Sequence, residues 1–332
     1  MRISLIIPVF NTEAWLPRCL ESVASQGVPA EYYEIVIVND GSNDGSEAVA
    51  AEFAAGRSNV RIISQANAGL SAARNAGLAA AGGDYVWFVD SDDRIAEDCL
   101  VKILDICSSL SPDIVALGSA RERSSGLRQD RYYPASLAGK TLSGAQMMRR
   151  GLLKSVCSPF YVFRKQYLLD GGLSFMPGIF HEDEEFTPRA LYGAAIVAFL
   201  PEICYFACYR PGSITRKPNP KRSYDLITVA EALEDYSKTI PKKDRWLISK
   251  RITDVINASL KLTRSYSLEE REAFQDKLYE KRRLFKHFAR SGKARFIAEG
   301  WILQMVPANS IYAYRFLQGS ASYLGLSTEQ KK

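Results

Sequence analysis

The sequence has few of the residues that hold a zinc ion or a disulfide framework. It contains two histidines and six cysteines in 332 residues, and no two cysteines form a Cys-x-x-Cys pair. A structural zinc site requires clustered thiols or imidazoles. The composition therefore argues against zinc and favours buried, reduced cysteines.

Long apolar runs are also missing. No uninterrupted apolar stretch reaches the ~18 residues of a transmembrane helix, and Met1–Pro8 is too short for a secretory signal and has no small-residue cleavage site. Met1–Pro8 instead has the character of a first buried strand. We therefore expect the protein to remain in the cytoplasm.

Charge is distributed unevenly along the chain, whose formal net charge is +6. Residues 1–100 contain six Lys/Arg and fourteen Asp/Glu, whereas residues 242–299 contain sixteen and eight. An acidic front half suits cation binding, and a basic rear half suits phospholipid, a lipid-linked phosphate or nucleic acid. No nucleic-acid-binding motif accompanies the basic charge, so a nucleic-acid partner is not expected.

Strands and helices alternate over the first 120 residues. The pattern predicts strands at 3–8, 33–38, 60–64 and 85–89, and helices at 46–55, 70–81, 95–107 and after a cap at Asn11 or Thr12. Such alternation predicts a mostly parallel sheet with helices on both faces, which binds ligands at the carboxyl ends of its strands. Residues 121–215 suggest short strands and turns, and residues 220–325 suggest helices.

Polar residues follow four of these strands and therefore share one rim of the sheet. They are Asn11, Asp40, Asn67 and the cluster Asp90-Ser91-Asp92-Asp93. Three carboxylates in four residues repel one another unless a cation neutralises them. Oxygen ligands suit Mg²⁺ or Mn²⁺. A solvated turn ahead of the next helix also accounts for the cluster.

Three further residues near this rim have two interpretations each. Asp40 could accept a hydrogen bond from a base or a ribose, or could simply belong to a glycine-containing turn. Phe10 could stack on a nucleobase or fill the core. Arg74 could meet a phosphate or a base, or lie on the surface.

Two charged segments follow later in the chain. His181-Glu182-Asp183 could supply a general base whose pKa is raised by neighbouring acids, or could be a solvated acidic helix start. The cationic turn 209–217, which includes Arg210, could lie over a departing diphosphate or be a plain basic loop.

Together and in this order, these stretches resemble the family 2 glycosyltransferases of the GT-A fold. The matching stretches are Ile7–Asn11, Val36–Ser46, Asn67–Gly77, Gly83–Asp93 and His181–Phe186. The resemblance covers about residues 1–217 and implies an α/β fold with a Rossmann-like, mostly parallel sheet. It implies a catalytic domain at 1–217 that binds nucleotide sugar and acceptor. Beyond the resemblance, the residue pattern predicts a helical subdomain at 218–326 and a disordered tail at 327–332.

The resemblance also implies an activity: inverting transfer of a sugar from a nucleoside diphosphate, with UDP expected, to an acceptor hydroxyl. The acceptor would be a carbohydrate or lipid-linked molecule in surface polysaccharide or glycolipid biosynthesis. The implied donor-binding residues are Pro8, Val9, Phe10, Asn11, Glu13, Asp40, Asn67, Arg74, Asp90, Ser91, Asp93, Glu182 and Arg210. Asp92, with Asp90, would hold Mn²⁺ or Mg²⁺, and Asp183 would be the catalytic base. A third protein ligand of the metal is not identifiable.

Two other functions remain to be weighed. A sugar-phosphate nucleotidyltransferase on a similar fold usually has a glycine-rich, cationic loop after its first strand, whereas Pro8–Glu13 has neither glycine nor cation. A non-catalytic nucleotide-binding or scaffold protein would have no need of both Asp92 and Asp183.

The rear of the chain is basic and aromatic. Residues 281–295 carry seven cations and no acid, together with Leu284, Phe285 and Phe288. Residues 281–317 could therefore lie on the inner face of an anionic membrane, close to a lipid-linked acceptor. A packed helical subdomain with a solvated basic face explains the pattern equally well. The sequence does not indicate an oligomeric state.

Overall fold

The chain forms two compact units in the computed structural model, which describes residues 1–123, 126–131, 133–209, 219–291, 294–314 and 316. The first unit comprises Met1–Gly178 and Phe186–Ser213, and the second comprises Ile179–Glu185 and Ile214–Lys332. The functional division at residue 217 stays a prediction. Arg210 and the tail 327–332 lie outside the described residues.

The first unit is built on a ten-stranded sheet. Its strands are β1 Ile3–Val9, β2 Tyr33–Asn39, β3 Val60–Ser64, β4 Tyr85–Phe88, β5 Arg94–Ile95, β6 Ile114–Arg123, β7 Gly126–Arg131, β8 Thr141–Leu142, β9 Tyr161–Arg164 and β10 Val197–Cys208. Its helices are α1 Leu16–Ala24, α2 Ser46–Ala54, α3 Leu70–Ala80, α4 Cys99–Leu110, α5 Gly144–Arg149, α6 Lys165–Asp170 and most of α7 Glu182–Gly193.

The strands run in the order β3-β2-β1-β4-β9-β6-β10-β5, with β7 paired to β6 and β8 to β10. The first four strands are parallel, and β9 is antiparallel to both of its neighbours. Every residue of β1 and β2 is buried, as expected for parallel strands covered on both faces. The predicted α/β class is confirmed, and the carboxyl ends of β1, β2, β3 and β4 share one rim.

The stretch 121–215, predicted to hold only short strands and turns, contains β10, the longest strand of the described residues. β6 has ten residues and β10 has twelve, and they pair in parallel. The register of β10 shifts on either side of Ile203, close after Pro201, so its apolar residues do not alternate with a steady period of two. The prediction was wrong here because long-range pairing stabilises a strand that local patterning conceals.

Two helix starts also differ from the prediction. The first helix begins at Leu16 and has no side-chain cap, because Asn11 and Thr12 hydrogen-bond other loops instead. The fourth helix begins at Cys99 rather than at residue 95, because Arg94–Ile95 pairs with β10 as the short strand β5.

The second unit is helical where it is described, as predicted. It contains the start of α7, then α8 Lys221–Thr239, α9 Arg245–Leu262, α10 Leu268–Glu280, a 3₁₀ helix Arg282–Arg290 and α11 Ala294–Met305. Leu284, Phe285 and Phe288 are at most 1% exposed. The expectation that these three contact a membrane is therefore wrong, since they form the core of this unit. In the described part of the chain, no helix is both long and apolar enough to cross a membrane.

Candidate active site

The loops after β1 and β2 hold each other at the carboxyl rim of the sheet. Asn11, in a left-handed conformation at φ 51°, accepts a hydrogen bond from the backbone N–H of Asn43 at 2.9 Å. Glu13 accepts from the backbone N–H of Gly45 at 2.9 Å. Phe10, at the end of β1, is 40% exposed, so its ring is not a core aromatic. Pro8 and Val9 are buried in β1 behind this loop.

Asp40 organises the loop between β3 and α3. It is 3% exposed, and its carboxylate accepts from the backbone N–H groups of Ala68 and Gly69, both at 2.9 Å, and from Gln65 at 2.7 Å. The side chain of Asn67 donates to the Asp40 carbonyl at 3.0 Å. Asp40 and Asn67 therefore lie together, as predicted from the strand ends, and their contact with a base stays a prediction.

The loops after β2 and β3 approach each other so closely that position 41 requires a glycine. Gly41 has φ +70°, and a Cβ there would lie 2.8 Å from the backbone nitrogen of Asn67. A side chain would therefore meet both backbone strain and a clash. The Asn39-Asp40-Gly41 turn is thus fixed by the neighbouring loop and not only by local turn preference.

Arg74 is a buried partner of the acidic cluster and not a surface residue. Its side chain is 1% exposed and its Nη2 lies 2.8 Å from Oδ1 of Asp90, whose side chain is 30% exposed. The guanidinium carbon lies 5.1 Å from the ring centroid of Phe175. Helix α3 therefore supplies a fixed positive charge beside the carboxylates that follow β4.

Asp93 is held by β10. It accepts from the Tyr205 hydroxyl and from the backbone N–H of Cys208, both at 2.7 Å. The same Tyr205 oxygen accepts from the backbone N–H of Asp90 at 3.1 Å. Burial, reinforced by the negative charges of Asp90 and Asp92, raises the pKa of Asp93 well above its usual value. The turn therefore has an excess of negative charge.

This donor set fits a hard divalent cation. Carboxylate oxygens are the ligands that Mg²⁺ and Mn²⁺ prefer, and a cation would relieve the repulsion that raises the pKa of Asp93. Asp93 itself is engaged by Tyr205 and Cys208. Within the described ranges, no group of three His, Cys, Asp or Glu side chains converges on one point. Asp90 and Asp92 are therefore the candidate protein ligands, and phosphate and water would complete the coordination.

The predicted base lies at the start of α7. Glu182 and Asp183 occupy the first turn of this helix, with Glu184 and Glu185. These residues belong to the second unit, whereas α7 from Phe186 onward belongs to the first. The structure thus confirms an acidic helix start at this position, and the catalytic role of Asp183 stays a prediction.

The first unit therefore brings the predicted rim residues together, with Asn11, Asp40, Asn67 and Asp90 all tied into neighbouring loops. Sequence reasoning missed three participants: Thr12, whose hydroxyl donates to that of Ser91 at 3.1 Å, Tyr205 and Phe175. Tyr205 lies in an apolar strand without any motif, so only the sheet pairing brings it to the site. Arg210 lies outside the described residues.

Comparison with known proteins gives a consistent result. The family model described as glycosyl transferase family 2 matches residues 4–172, about half of the chain. The uncharacterized glycosyltransferase EpsJ of Bacillus subtilis is 31% identical over 223 residues, which cover 65% of this chain and 63% of EpsJ. The aligned part thus spans just under two thirds of that relative.

Solved structures share the fold. TarS of Staphylococcus aureus, residues 1–349 in complex with UDP-GlcNAc, superposes with a TM-score of 0.75 at 20% identity, covering 99% of this chain and 93% of that one. TarS is named a poly(ribitol-phosphate) beta-N-acetylglucosaminyltransferase, and its sequence is 25% identical over 62% of this chain and 35% of its own length. The mannosyltransferase PcManGT of Pyrobaculum calidifontis, with GDP-Man and Mn²⁺, has a TM-score of 0.54 at 14% identity, covering 95% and 86%. The predicted GT-A fold is confirmed.

Proposed function

Since this chain belongs to glycosyl transferase family 2, we propose that it transfers a sugar, with inversion, from a nucleoside-diphosphate sugar to an acceptor hydroxyl. The observation that carries the proposal is the rim of the first unit. There Arg74 and the Asp90–Asp93 turn lie at the same edge of the sheet as the buried Asp40 loop. One end suits a nucleoside and the other a metal-bound diphosphate.

The proposed donor is a UDP-sugar, and the proposed acceptor is a carbohydrate or lipid-linked molecule of surface-polymer synthesis. The likeness to TarS, which was solved with UDP-GlcNAc, supports this choice of donor. The name of TarS makes poly(ribitol-phosphate) a specific acceptor to test. A sugar-phosphate nucleotidyltransferase is not supported, because the β1 loop offers no glycine-rich phosphate cradle.

In the proposed reaction the chain's own residues bind the donor and move one proton. Phe10, Asn11, Glu13, Asp40 and Asn67 line the nucleoside end. Arg74 fixes the Asp90 carboxylate, and a role of Arg210 at the diphosphate stays a prediction. Asp183, beside Glu182, accepts the proton of the attacking hydroxyl as the bond to the leaving diphosphate breaks. Mn²⁺ or Mg²⁺ held by Asp92 and Asp90 would neutralise the charge of that diphosphate.

A thermal-shift screen tests the donor. We expect UDP-GlcNAc or UDP-glucose to raise the melting temperature only when Mn²⁺ or Mg²⁺ is present, because binding to the folded state stabilises it. The same nucleotide sugars are then incubated with poly(ribitol-phosphate), and released UDP is measured. Absence of any metal-dependent shift with every nucleotide sugar would contradict the donor proposal.

Asp92→Asn tests the metal site independently of turnover. The variant should bind Mn²⁺ more weakly in the presence of UDP, as measured by the free Mn²⁺ signal in electron paramagnetic resonance. Asp105→Asn, which changes an exposed acid on α4, is the matched control and should bind as the wild type does. Equal Mn²⁺ binding by both variants would exclude Asp92 as a ligand.

We also propose cytoplasmic placement with peripheral contact to an anionic membrane, through the exposed residues of the segment 281–317 and not through Leu284, Phe285 and Phe288, which are buried. Trp301, Met305 and Phe316 are 63%, 71% and 74% exposed. Glu231 and Glu234 pair with Lys281, Arg283 and Lys286, so two of the seven positive charges of 281–295 are balanced within the unit. The contact would therefore combine apolar insertion with the attraction of the remaining cations to anionic lipid.

Sedimentation with phosphatidylglycerol vesicles tests this contact. The double variant Trp301→Ala, Met305→Ala should bind the vesicles less. The control is Leu268→Ala, which removes an apolar side chain of similar exposure, 62%, and should not reduce binding. Phosphatidylcholine vesicles should bind the wild type less. Failure of the wild type to sediment at low salt would exclude membrane contact.

A further inference from the structure

The segment that carries the proposed base belongs to the helical unit and not to the sheet. Residues Ile179–Glu185 cluster with the second unit, although Gly178 before them and Phe186 after them belong to the first. Along the sequence, seven residues of the helical unit therefore interrupt the sheet unit. Asp183 lies near the end of this insertion.

One hydrogen bond from α8 holds the start of the segment. The backbone N–H of Phe180 donates to Oδ2 of Asp225 at 2.7 Å, and Asp225 is 7% exposed. Lys221 donates to the same oxygen at 2.5 Å, and its ammonium lies 5.3 Å from the ring centroid of Phe180. A buried carboxylate with a cation beside it is a strong and fixed acceptor.

One ion pair from α9 holds the end of the segment. Nη2 of Arg251 lies 2.6 Å from Oε2 of Glu184, the residue directly after Asp183, and the two side chains are 17% and 26% exposed. The other arm of the guanidinium, Nη1, lies 3.1 Å from Asp254. Arg251 is thus itself held in place from within α9, which gives the pair more rigidity than a single surface contact.

The backbone between these two contacts is constrained. His181 has φ +64°, in the left-handed region that residues with side chains adopt when their surroundings impose it. Its carbonyl accepts from the backbone N–H of Glu184 at 3.0 Å and so begins the helical turn that carries Asp183. The orientation of Asp183 is therefore set by a short segment that Asp225 of α8 holds at one end and Arg251 of α9 holds at the other.

From these contacts we propose that Asp225 and Arg251 are positioning residues for the catalytic base, and that the helical unit's role in the reaction is to hold that base. The inference rests on the proposed function of Asp183. A base must lie within hydrogen-bond reach of the proton that it accepts, and a displacement of about 1 Å can cost ~10²-fold in rate. Neither Asp225 nor Arg251 needs to touch donor or acceptor.

Hydrogen–deuterium exchange tests the hold without requiring turnover. In Asp225→Ala and Arg251→Ala, amides of residues 179–186 should exchange faster, by about tenfold for the loss of one net hydrogen bond. Peptides from β1, β2 and β4 should be unchanged. Lys238→Ala, which removes an exposed ion pair with Asp235 on α8, is the matched control and should leave residues 179–186 as in the wild type. Unchanged exchange in both alanine variants overturns the inference, whatever the acceptor is.

Kinetics test the consequence for the base, with UDP release from UDP-GlcNAc in the presence of poly(ribitol-phosphate). Arg251→Ala and Asp225→Ala should lower kcat by ~10²-fold with the donor KM nearly unchanged. Arg251→Lys should recover much of the rate, because it keeps a cation beside Glu184. A donor KM that rises with an unchanged kcat would indicate a general structural role and overturn the inference.

A double mutant separates this inference from the proposed function. Once Asp183→Asn has removed the base, adding Arg251→Ala should cause no further loss of the residual rate, because coupled residues are non-additive. If Asp183→Asn turns over normally, the base assignment itself fails. If Asp183→Asn is slow but Arg251→Ala and Asp225→Ala are as fast as the wild type, the proposed function survives and the positioning role does not.

Discussion

In the proposed reaction, Asp92 acts at the leaving group and Asp183 acts at the attacking hydroxyl. Asp92 lies in the turn after β4, where burial, together with the negative charges of Asp90 and Asp92, raises the pKa of Asp93. Asp183 lies in the first turn of α7, among four consecutive acids. The first environment suits binding of a cation at the leaving group, and the second suits a carboxylate that takes a proton.

Asp183→Asn should abolish most transfer without affecting the donor. The amide keeps the size of the side chain but cannot accept the proton, so the rate should fall by ~10²–10⁴-fold. Donor affinity, measured as the thermal shift with UDP-GlcNAc and Mn²⁺, should match that of the wild type. A variant that transfers sugar at the normal rate would exclude Asp183 as the base.

Arg74 tests how strongly the burial of an ion pair affects the free energy of unfolding that is lost when the pair is broken. Arg74→Met should lower the free energy of unfolding by about 3 kcal/mol, the lower end of the range for breaking a buried pair, because Asp90 is partly exposed. Arg18→Ala is the control: its pair with Glu122 is as short, at 2.6 Å, but Arg18 is 53% exposed. That change should cost less than ~1 kcal/mol. Equal losses in urea denaturation would contradict the prediction.

The polar residues of the rim could be predicted because each follows an apolar strand. Asp40 and Asp90 come directly after such runs, and parallel strands bring their ends to one edge. The burial of Arg74 could not be predicted, since the ring that lies beside its guanidinium belongs to Phe175, 101 positions further along the chain. Tyr205 was missed for the same reason, because a tyrosine in an apolar strand gives no local signal of its partner.

At the scale of elements, helix α3 joins the two ends of the site, with the Asp40 loop at its start and Arg74 in its second turn. Its position depends on Gly77, which is buried against β1. A Cβ at this residue would overlap Cγ2 of Ile6 and lie 3.3 Å from Cγ2 of Val38. The glycine thus sets how closely the helix approaches the sheet.

Gly77→Ala should therefore destabilise the protein, although alanine is the better helix former. Helix propensity alone would add about 1 kcal/mol of stability, whereas overpacking against β1 costs ~1–3 kcal/mol. The control is Ala79→Gly, at an exposed position of the same helix, which should lose at most about 1 kcal/mol. Thermal unfolding of the two variants measures the difference, and a stabilised Gly77→Ala would show that the helix can move away from Ile6.

The predicted elements agree best where strands are short and parallel. The strand Val60–Ser64 was predicted with the bounds it has, and those of β1 and β2 differ by one residue. β10 was not predicted, because the register shifts around Ile203 break its period and because its partner residues in β6 lie 83–86 positions earlier in the chain. Local pattern thus locates elements that carry their own signal, and it misses those that depend on a distant partner.

At the scale of the whole molecule, the pH dependence of stability that histidines cause should arise in the second unit. The chain has two histidines, and both belong to the second unit. His287 is 2% exposed, with one ring nitrogen 2.9 Å from the Ser249 hydroxyl and the other 3.2 Å from Glu234. Burial lowers the pKa of His287 to about 4 despite the attraction of Glu234. Burial and the charge of Arg222 lower that of His181 to about 4.

A folded pKa below the ordinary value of 6.5 fixes the sign of the pH dependence. As pH falls below about 6.5, the unfolded chain takes up the proton before the folded chain does, so the free energy of unfolding falls. The loss continues to about pH 4, where the folded histidine also protonates, and then levels off. For His287 the full loss is on the order of 3 kcal/mol, at 1.36 kcal/mol per pKa unit.

Urea unfolding followed by far-ultraviolet circular dichroism, between pH 7.5 and pH 4, measures this loss. His287→Gln should flatten the curve between pH 6.5 and pH 4, because the group that titrates only in the unfolded state is gone; the slope, not the absolute stability, is the quantity compared. Ser249→Ala, which removes the hydrogen bond to the other ring nitrogen, should lower stability but keep the slope. A slope that His287→Gln leaves unchanged would show that carboxylates, and not this buried imidazole, control the acid sensitivity of the helical unit.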